Sequence, residues 1–431
     1  MDSALRQDLQ SYIDENHDRM LSLLADLVEA PSVSGQEKAA QEVVVEKLES
    51  MGLEVDVWEP NVAELRDHPG YFDTNTYEQY GYDDRPNVAA TIDGSGDGPS
   101  IALAGHIDVV SVNEDRWTYD PWSATREGGK VYGRGACDMK GGLAANVFAL
   151  EALRDLDIDL AGDVVVESTI DEEAGGTGGA LSALERGYQP DAAIITEPYG
   201  VPNIGVASAG AMYFRITVPG KAAHAAHGFA GVNAINKATD IVQALDELDR
   251  ERKSRLSFQP AVNQYQEAEA AVTNLNVGIF EAGDWPSTVP DEAIIECRIG
   301  WPPGETREEV REQVRETVES VVGADAWLSE NTPEFEWFGW NSNPHALETD
   351  HEFVQLTRQH AEDVCGTEGE WTGGLAGLDE RFYVNYYDIP CPSVGPSGGH
   401  VHGADEYVDI DSLVDVAQTV ALTTADWCGT A

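Results

Sequence analysis

Residues 131–142 read VYGRGACDMKGG, and the centre of this stretch is Asp138. The glycines around it, Gly133, Gly135, Gly141 and Gly142, let the backbone turn sharply and let helices approach closely. One carboxylate can then be presented to two neighbours at once. Asp138 reads as a bridge between two metal ions.

The partners of such a bridge stand at the ends of apolar runs. Upstream, IALAGHIDVV (101–110) is of strand type, with His106 and Asp108 two apart and on one face, a spacing that lets a carboxylate orient an imidazole on a metal. Downstream, DVVVESTIDEEAGG (163–176) reads as a buried strand running into a Gly-rich turn that delivers Asp171, Glu172 and Glu173. DAAIITEP (191–198) ends at Glu197 before a proline, and SVGPSGGHVHGADEY (393–407) carries His400, His402 and Glu406. His106, Asp138, Glu173, Glu197 and His402 form a nitrogen and oxygen donor set suited to two divalent ions, zinc first, with cobalt or manganese also served. Each ion takes one His, one terminal carboxylate and the shared Asp138. Two such ions about 3.5–4 Å apart clamp a bridging water and polarise a carbonyl.

Composition bounds the rest. A chain of 431 residues with 42% hydrophobic residues can bury the cores of two domains. No apolar stretch reaches membrane-spanning length, and MDSALRQDLQSYIDENHDRM lacks the basic start and apolar middle of a signal peptide, so the cytoplasm is expected. Five scattered cysteines without CxxC spacing argue against a disulfide framework or thiolate zinc site, and Cys137 reads as a buried, inert thiol. Asp and Glu number 78 against 26 Lys and Arg, a net charge of −52. The acids are dispersed, as on a hydrated surface adapted to high salt, and no basic stripe exists to neutralise the phosphates of a nucleic acid.

In chain order, residues 3–29 and 36–51 read as amphipathic helices, with Ser34 and Glu37 spaced as a capping box. LEVDVWEP, PNVAATI and IALAGHIDVV read as strands, and residues 60–85 as an irregular excursion or lid edge. A helix after Gly142 leads to the strand that ends in the acidic triplet. Strands alternating with helices, with the suspected ligands at strand C-terminal ends, mark an α/β domain with its functional edge at those ends. From Ala211 the order becomes βαββαβ, including a strand over AVTNLNVGIF (271–280), which fits an inserted ferredoxin-like module. The expected division is 1–210 and 342–431 for the discontinuous first domain and 211–341 for the insert.

HIDVV, GRGACDMKGG, DEEAGG, ITEP and GPSGGHVHGADEY together resemble the motifs of the dinuclear-zinc amidohydrolases that include acetylornithine deacetylase, succinyl-diaminopimelate desuccinylase, aminoacylase-1 and glutamate carboxypeptidase. The resemblance spans essentially the whole chain. It implies a zinc-peptidase-like catalytic domain with a mixed central sheet flanked by helices, and a lid and homodimerisation role for the insert. It makes His106, Asp138 and Glu197 the ligands of one metal and Asp138, Glu173 and His402 those of the other. Asp108 would orient His106, and Glu172 would be the general base that takes a proton from the bridging water as hydroxide attacks the amide. GKAAHAA resembles the lid motif, whose His224 would reach the substrate carbonyl oxygen, in dimeric relatives across the subunit interface; Gly228 and Phe229 follow His227 where many relatives have Pro and His. LDERFY makes Arg381 the clamp for a substrate carboxylate, with Arg298 second. The resemblance also implies a cis bond between Asp138 and Met139.

Plainer readings stand beside these. A histidine alone is more often structural, consecutive acids are often merely solvated, His400 can be a surface or supporting residue, and Arg381 can be an ordinary ion-pair partner. Three functions follow: hydrolysis of a small N-acyl amino-acid-like amide, a dipeptidase or carboxypeptidase of the same chemistry, or a binding protein on this fold. The last needs a lost ligand or base, and all are retained.

Overall fold

The computed structural model describes residues 3–266 and 272–430, which divide into two compact units. The first comprises 1–206, 346–373 and 378–431; the second comprises 207–345 with Gly374–Gly377. The four-residue return lies outside the expected insert of 211–341. It joins the second unit because the Ala209 amide donates to the Gly374 carbonyl (3.0 Å) and Gly377 packs against Ser342, pairings that chain order does not reveal.

In the first unit, α1 (Ser3–Glu29), α2 (Lys38–Ser50), β1 (Val55–Trp58), β2 (Asn87–Ile92), β3 (Ile101–His106), α3 (Lys140–Asp155), β4 (Val164–Thr169) and β5 (Ala192–Ile195) follow in order. The sheet runs β1-β2-β4-β3-β5 and is mixed: β1 and β2 are antiparallel to their neighbours, while β3, β4 and β5 are parallel. Every residue of β3 and β4 is buried, which explains their continuous apolar runs. The register pairs His106 with Thr169 and Ala104 with Ile195, so the three C-terminal ends open on one edge. Helix α3 is buried over nearly its whole length and packs against α1, β3 and the C-terminal helix Ile410–Cys428. Gly142 makes that docking possible, since a Cβ there would stand 2.3 Å from the Thr196 carbonyl oxygen.

The expected capping box at α2 does not form. Glu37 is itself the residue before the helix, its carboxylate accepts from the Gly35 amide (2.7 Å) and pairs with Arg85, and the Ser34 hydroxyl donates to Asp108 (2.9 Å). A buried arginine outcompetes the local reciprocal bond because an ionised partner gives the stronger hydrogen bond.

In the second unit, β6 (Gly210–Pro219), α4 (Ala234–Arg255), β7 (Leu275–Ala282), β8 (Glu292–Trp301), α5 (Arg307–Ala324) and β9 (Glu334–Ser342) form an antiparallel sheet in the order β7-β8-β6-β9. That is the ferredoxin-like arrangement. β7 begins at Leu275; Ala271, where its start was expected, lies outside the described residues. Phe214, Ile216, Val218, Ile295 and Ile299 alternate inward and meet Ala238, Ile241, Leu245, Val310 and Val314 of the helices. Thr306 and Glu309 start α5 with a complete capping box.

Candidate active site

The ends of the three parallel strands and the entrance of α3 bring the acidic and histidine motifs to one place. His106 closes β3, Asp171–Glu173 follow β4 through a turn whose Asp171 has φ +69°, and Glu197 follows β5. Asp138 precedes α3, with a cis peptide bond to Met139. Its Oδ1 lies 3.3 Å from His106 Nε2 and its Oδ2 3.2 Å from His402 Nε2, so the carboxylate faces two imidazoles with different oxygens. Glu197 Oε1 is 3.5 Å from His106 Nε2, Glu173 Oε1 is 3.1 Å from His402 Nε2, and Glu172 Oε2 stands 3.9 Å from His106 Nε2. Two ligand groups result, His106 with Glu172 and Glu197, and Asp138 with Glu173 and His402, each with its donor atoms within 4.8 Å of one another.

Other side chains hold this arrangement. His106 Nδ1 lies 2.9 Å from the Asp108 carbonyl, which can only accept, so Nδ1 carries the proton and Nε2 is left as the donor atom. The Asp108 carboxylate is 3.6 Å from that ring; it accepts the amides of Glu172 (3.1 Å) and Glu173 (3.2 Å) and the Ser34 hydroxyl. Asp108 therefore orients the imidazole through its backbone and the acidic turn through its side chain. The excursion at 60–85 also serves that turn: Tyr82 Oη (2.9 Å), Arg85 Nη2 (3.2 Å) and Thr74 Oγ1 (3.3 Å) all donate to Asp171. Arg85, which bonds Glu37 as well, had no local signal beyond a charge before a proline.

The sequence profile of peptidase family M20/M25/M40 matches residues 102–426, most of the chain, with His106, Asp138, Glu172, Glu173, Glu197 and His402 inside the match. The chain belongs to that family. It is 29% identical over 98% of its length to an N-formyl-4-amino-5-aminomethyl-2-methylpyrimidine deformylase of Halalkalibacterium halodurans, covering 97% of that protein. It is 26% identical to a succinyl-diaminopimelate desuccinylase of Gluconacetobacter diazotrophicus, over 93% of this chain and 95% of the other. Among solved structures, an M20 family metallo-carboxypeptidase of Sulfolobus solfataricus shares the fold with a TM-score of 0.74 at 19% identity, over 95% of this chain and 99% of that one. This M20 protein is a metal-dependent amidohydrolase.

The residues fit a pair of divalent ions. Four carboxylates and two imidazoles converge with nitrogen and oxygen donors only, and the carboxylates gather more negative charge than the two rings can balance. Burial opposes ionisation of Asp138, yet His106 and His402 hold its carboxyl well below the ordinary range. Burial pushes Glu197 up to about 8, helped by the charge of Asp138, and pushes Glu173 up to about 7 against the pull of His402. Glu172 is raised by burial and by the charges of Glu197, Asp379 and Glu173. Hydrogen bonds to Asp138 and Glu173 raise His402 to about 10. These are the signatures of side chains alone; a cation at each group reverses the logic and favours the ionised acids.

The other expected residues take the following places. Arg381 is 1% exposed, its Nη1 donates to the Leu378 carbonyl (2.7 Å) and its Nη2 to the Gly175 carbonyl. A bidentate grip on a substrate carboxylate needs two free parallel N–H groups. Each terminal nitrogen gives one of its two N–H groups to a backbone carbonyl, which braces the turn after Glu173. In the second unit, Arg298 Nη2 donates to the Leu375 carbonyl (3.1 Å), and His224 is exposed on a short strand paired with Thr288–Val289, its Nδ1 accepting from the Ala226 amide. The loop carrying His400 and His402 is a turn with positive φ at both; His400 Nδ1 lies 3.2 Å from the Ala404 and Asp405 carbonyls, and its ring meets Tyr407 edge-on. Cys137 is buried, and desolvation, with the charges of Glu406 and Asp138, pushes its thiol up, as befits an inert group.

Proposed function

We propose that this M20 enzyme hydrolyses the amide bond of a small N-acyl amine, with a short acyl group on an amino-acid-like or similarly polar amine. The carrying observation is Asp138, whose two oxygens face His106 and His402 separately, with the Glu172 carboxylate alongside. Two divalent ions, zinc first with cobalt or manganese as alternatives, would be held by His106, Asp138 and Glu197 and by Asp138, Glu173 and His402, and when bound they supply Lewis acidity to the carbonyl and to water. Glu172 takes the proton of the attacking water and returns it to the leaving nitrogen, a role that suits a carboxylate whose proton affinity burial has raised. His224 donates to the substrate carbonyl oxygen, and Arg381, with Arg298 second, pairs with a substrate carboxylate. A homodimer through the second unit is consistent with the exposed Phe229, Ile279, Phe280 and Trp285 there.

The full-length likeness to a deformylase and a desuccinylase supports an N-acyl amide over a peptide. The test is a panel of N-formyl, N-acetyl and N-succinyl amines against dipeptides, run in molar salt with zinc, cobalt or manganese. At least one acyl amine is expected to exceed every dipeptide in kcat/KM by about 100-fold, near 2.7 kcal/mol of transition-state discrimination. Dipeptides as the better substrates would move the assignment to the peptidase branch. His224→Ala is expected to lower kcat by about 10²–10³-fold at unchanged metal content.

A further inference from the structure

The two imidazoles of the site are held very differently. His106 ends a central strand, is almost wholly buried, and has its ring fixed by the Asp108 carbonyl. His402 rides on a turn and its side chain is 50% exposed. Something must set that turn against the loop carrying Asp138, 268 residues from Glu406 along the chain.

Two buried residues outside the ligand set make that connection. Glu406 Oε1 accepts the amides of Cys137 and Asp138, both at 3.1 Å, while its backbone carbonyl accepts from the Gly133 amide (2.9 Å). Arg134 donates through Nη1 to Glu406 Oε2 and through Nη2 to the Gly403 carbonyl (3.1 Å), one residue after His402. Glu406 is 0% and Arg134 2% exposed. The strand pair Tyr407–Asp409 with Lys130–Tyr132 brings the two loops side by side but ends before either ligand. The carboxylate and guanidinium span the remaining gap, and removing either leaves its buried partner charge uncompensated.

We propose that Arg134 and Glu406 are positioning residues for the His402 half of the metal centre: their ion pair sets the separation of His402 from Asp138 and thereby the affinity for the second ion. This rests on the two-metal reading above. Neither side chain belongs to the two ligand groups. The pair's effect falls chiefly on the half whose histidine has no strand to hold it, because His106, Glu197 and the Glu172–Glu173 turn are fixed by the sheet and by Asp108; the first ion feels only what passes through the shared Asp138.

The test is stepwise cobalt binding to the apo-enzyme, followed by calorimetry and by the visible absorption of the bound ion, for wild type, Glu406→Gln, Arg134→Met and Arg134→Lys. Wild type is expected to take up two equivalents. Glu406→Gln and Arg134→Met are expected to keep the first within about threefold and to weaken the second by roughly 10–100-fold, the usual range for residues that orient ligands. Arg134→Lys, which keeps the charge but cannot fork to Glu406 and Gly403 together, should fall between. Circular dichroism and the melting temperature of each apo-protein identify a variant that has simply misfolded, and Arg134→Lys then serves alone. Equal weakening of both equivalents, or two equivalents bound as in wild type, overturns the proposal. Wild type binding one equivalent or none brings down the two-metal reading itself, and this inference with it.

Discussion

Glu172 and Glu173 are adjacent, yet the geometry sends them to different partners: Glu173 to His402 and Glu172 towards His106. Glu172 sits close enough to His106 and Glu197 to be counted a ligand, so base and ligand roles make opposite predictions. Glu172→Ala is expected to retain two metal equivalents and lose about 10²–10⁴-fold in kcat, read by metal analysis beside turnover. Loss of one equivalent would make Glu172 a ligand. Asp138→Ala is expected to lose both ions, since it alone faces both histidines; one full equivalent retained contradicts the bridge. The convergence of these side chains was legible along the chain because residue type and spacing carry it, whereas the Gly175 carbonyl that Arg381 bonds was not: nothing in LDERFY announces it.

At the scale of elements, β4 carries one acid among its apolar residues. Glu167 lies mid-strand, 0% exposed, with Tyr383 Oη donating to Oε2 (2.7 Å) and Oε1 without a hydrogen-bond partner among the described residues. Burial raises its carboxyl from an ordinary 4.5 to about 7, against the Tyr383 hydrogen bond. The folded state thus holds this proton to higher pH than the unfolded chain does. The stabilisation is fully present below pH 4.5 and is lost as pH rises through 7. Glu167→Gln keeps the acceptor for Tyr383 and removes the titration. Its stability relative to wild type is expected to improve between pH 5 and pH 8 by on the order of 2 kcal/mol in denaturant titrations, and a pH-independent difference would exclude this ionisation. The strand itself was readable from its apolar run; the phenol that accepts its one acid into the interior comes from a helix, Glu380–Tyr387, far along the chain.

For the whole molecule, the net charge of −52 dominates. Self-repulsion on this scale opposes compaction at low ionic strength, and salt at about 1 M shortens its reach to about 3 Å. The melting temperature is therefore expected to rise by several degrees between about 0.2 M and about 2 M KCl, with sucrose at matched osmolality giving a smaller gain. A melting temperature that is flat or falls with KCl would mean that the acids are already compensated in the fold. No helix among the described residues is long and apolar enough to cross a membrane.

What the amino-acid sequence determined by itself was local. Strand ends, the βαββαβ order of the second unit and the glycines around Asp138 follow from periodicity and backbone freedom over a few residues. The family motifs added which side chains to watch. Tertiary structure alone decided which partner each buried polar group took. Glu37 turned from its own helix to Arg85, Asp108 divided its backbone and side chain between His106 and the acidic turn, and Glu406 reached the Asp138 amide. The reason is that a buried donor or acceptor must find a partner wherever packing offers one, and packing joins residues that the chain keeps hundreds of positions apart.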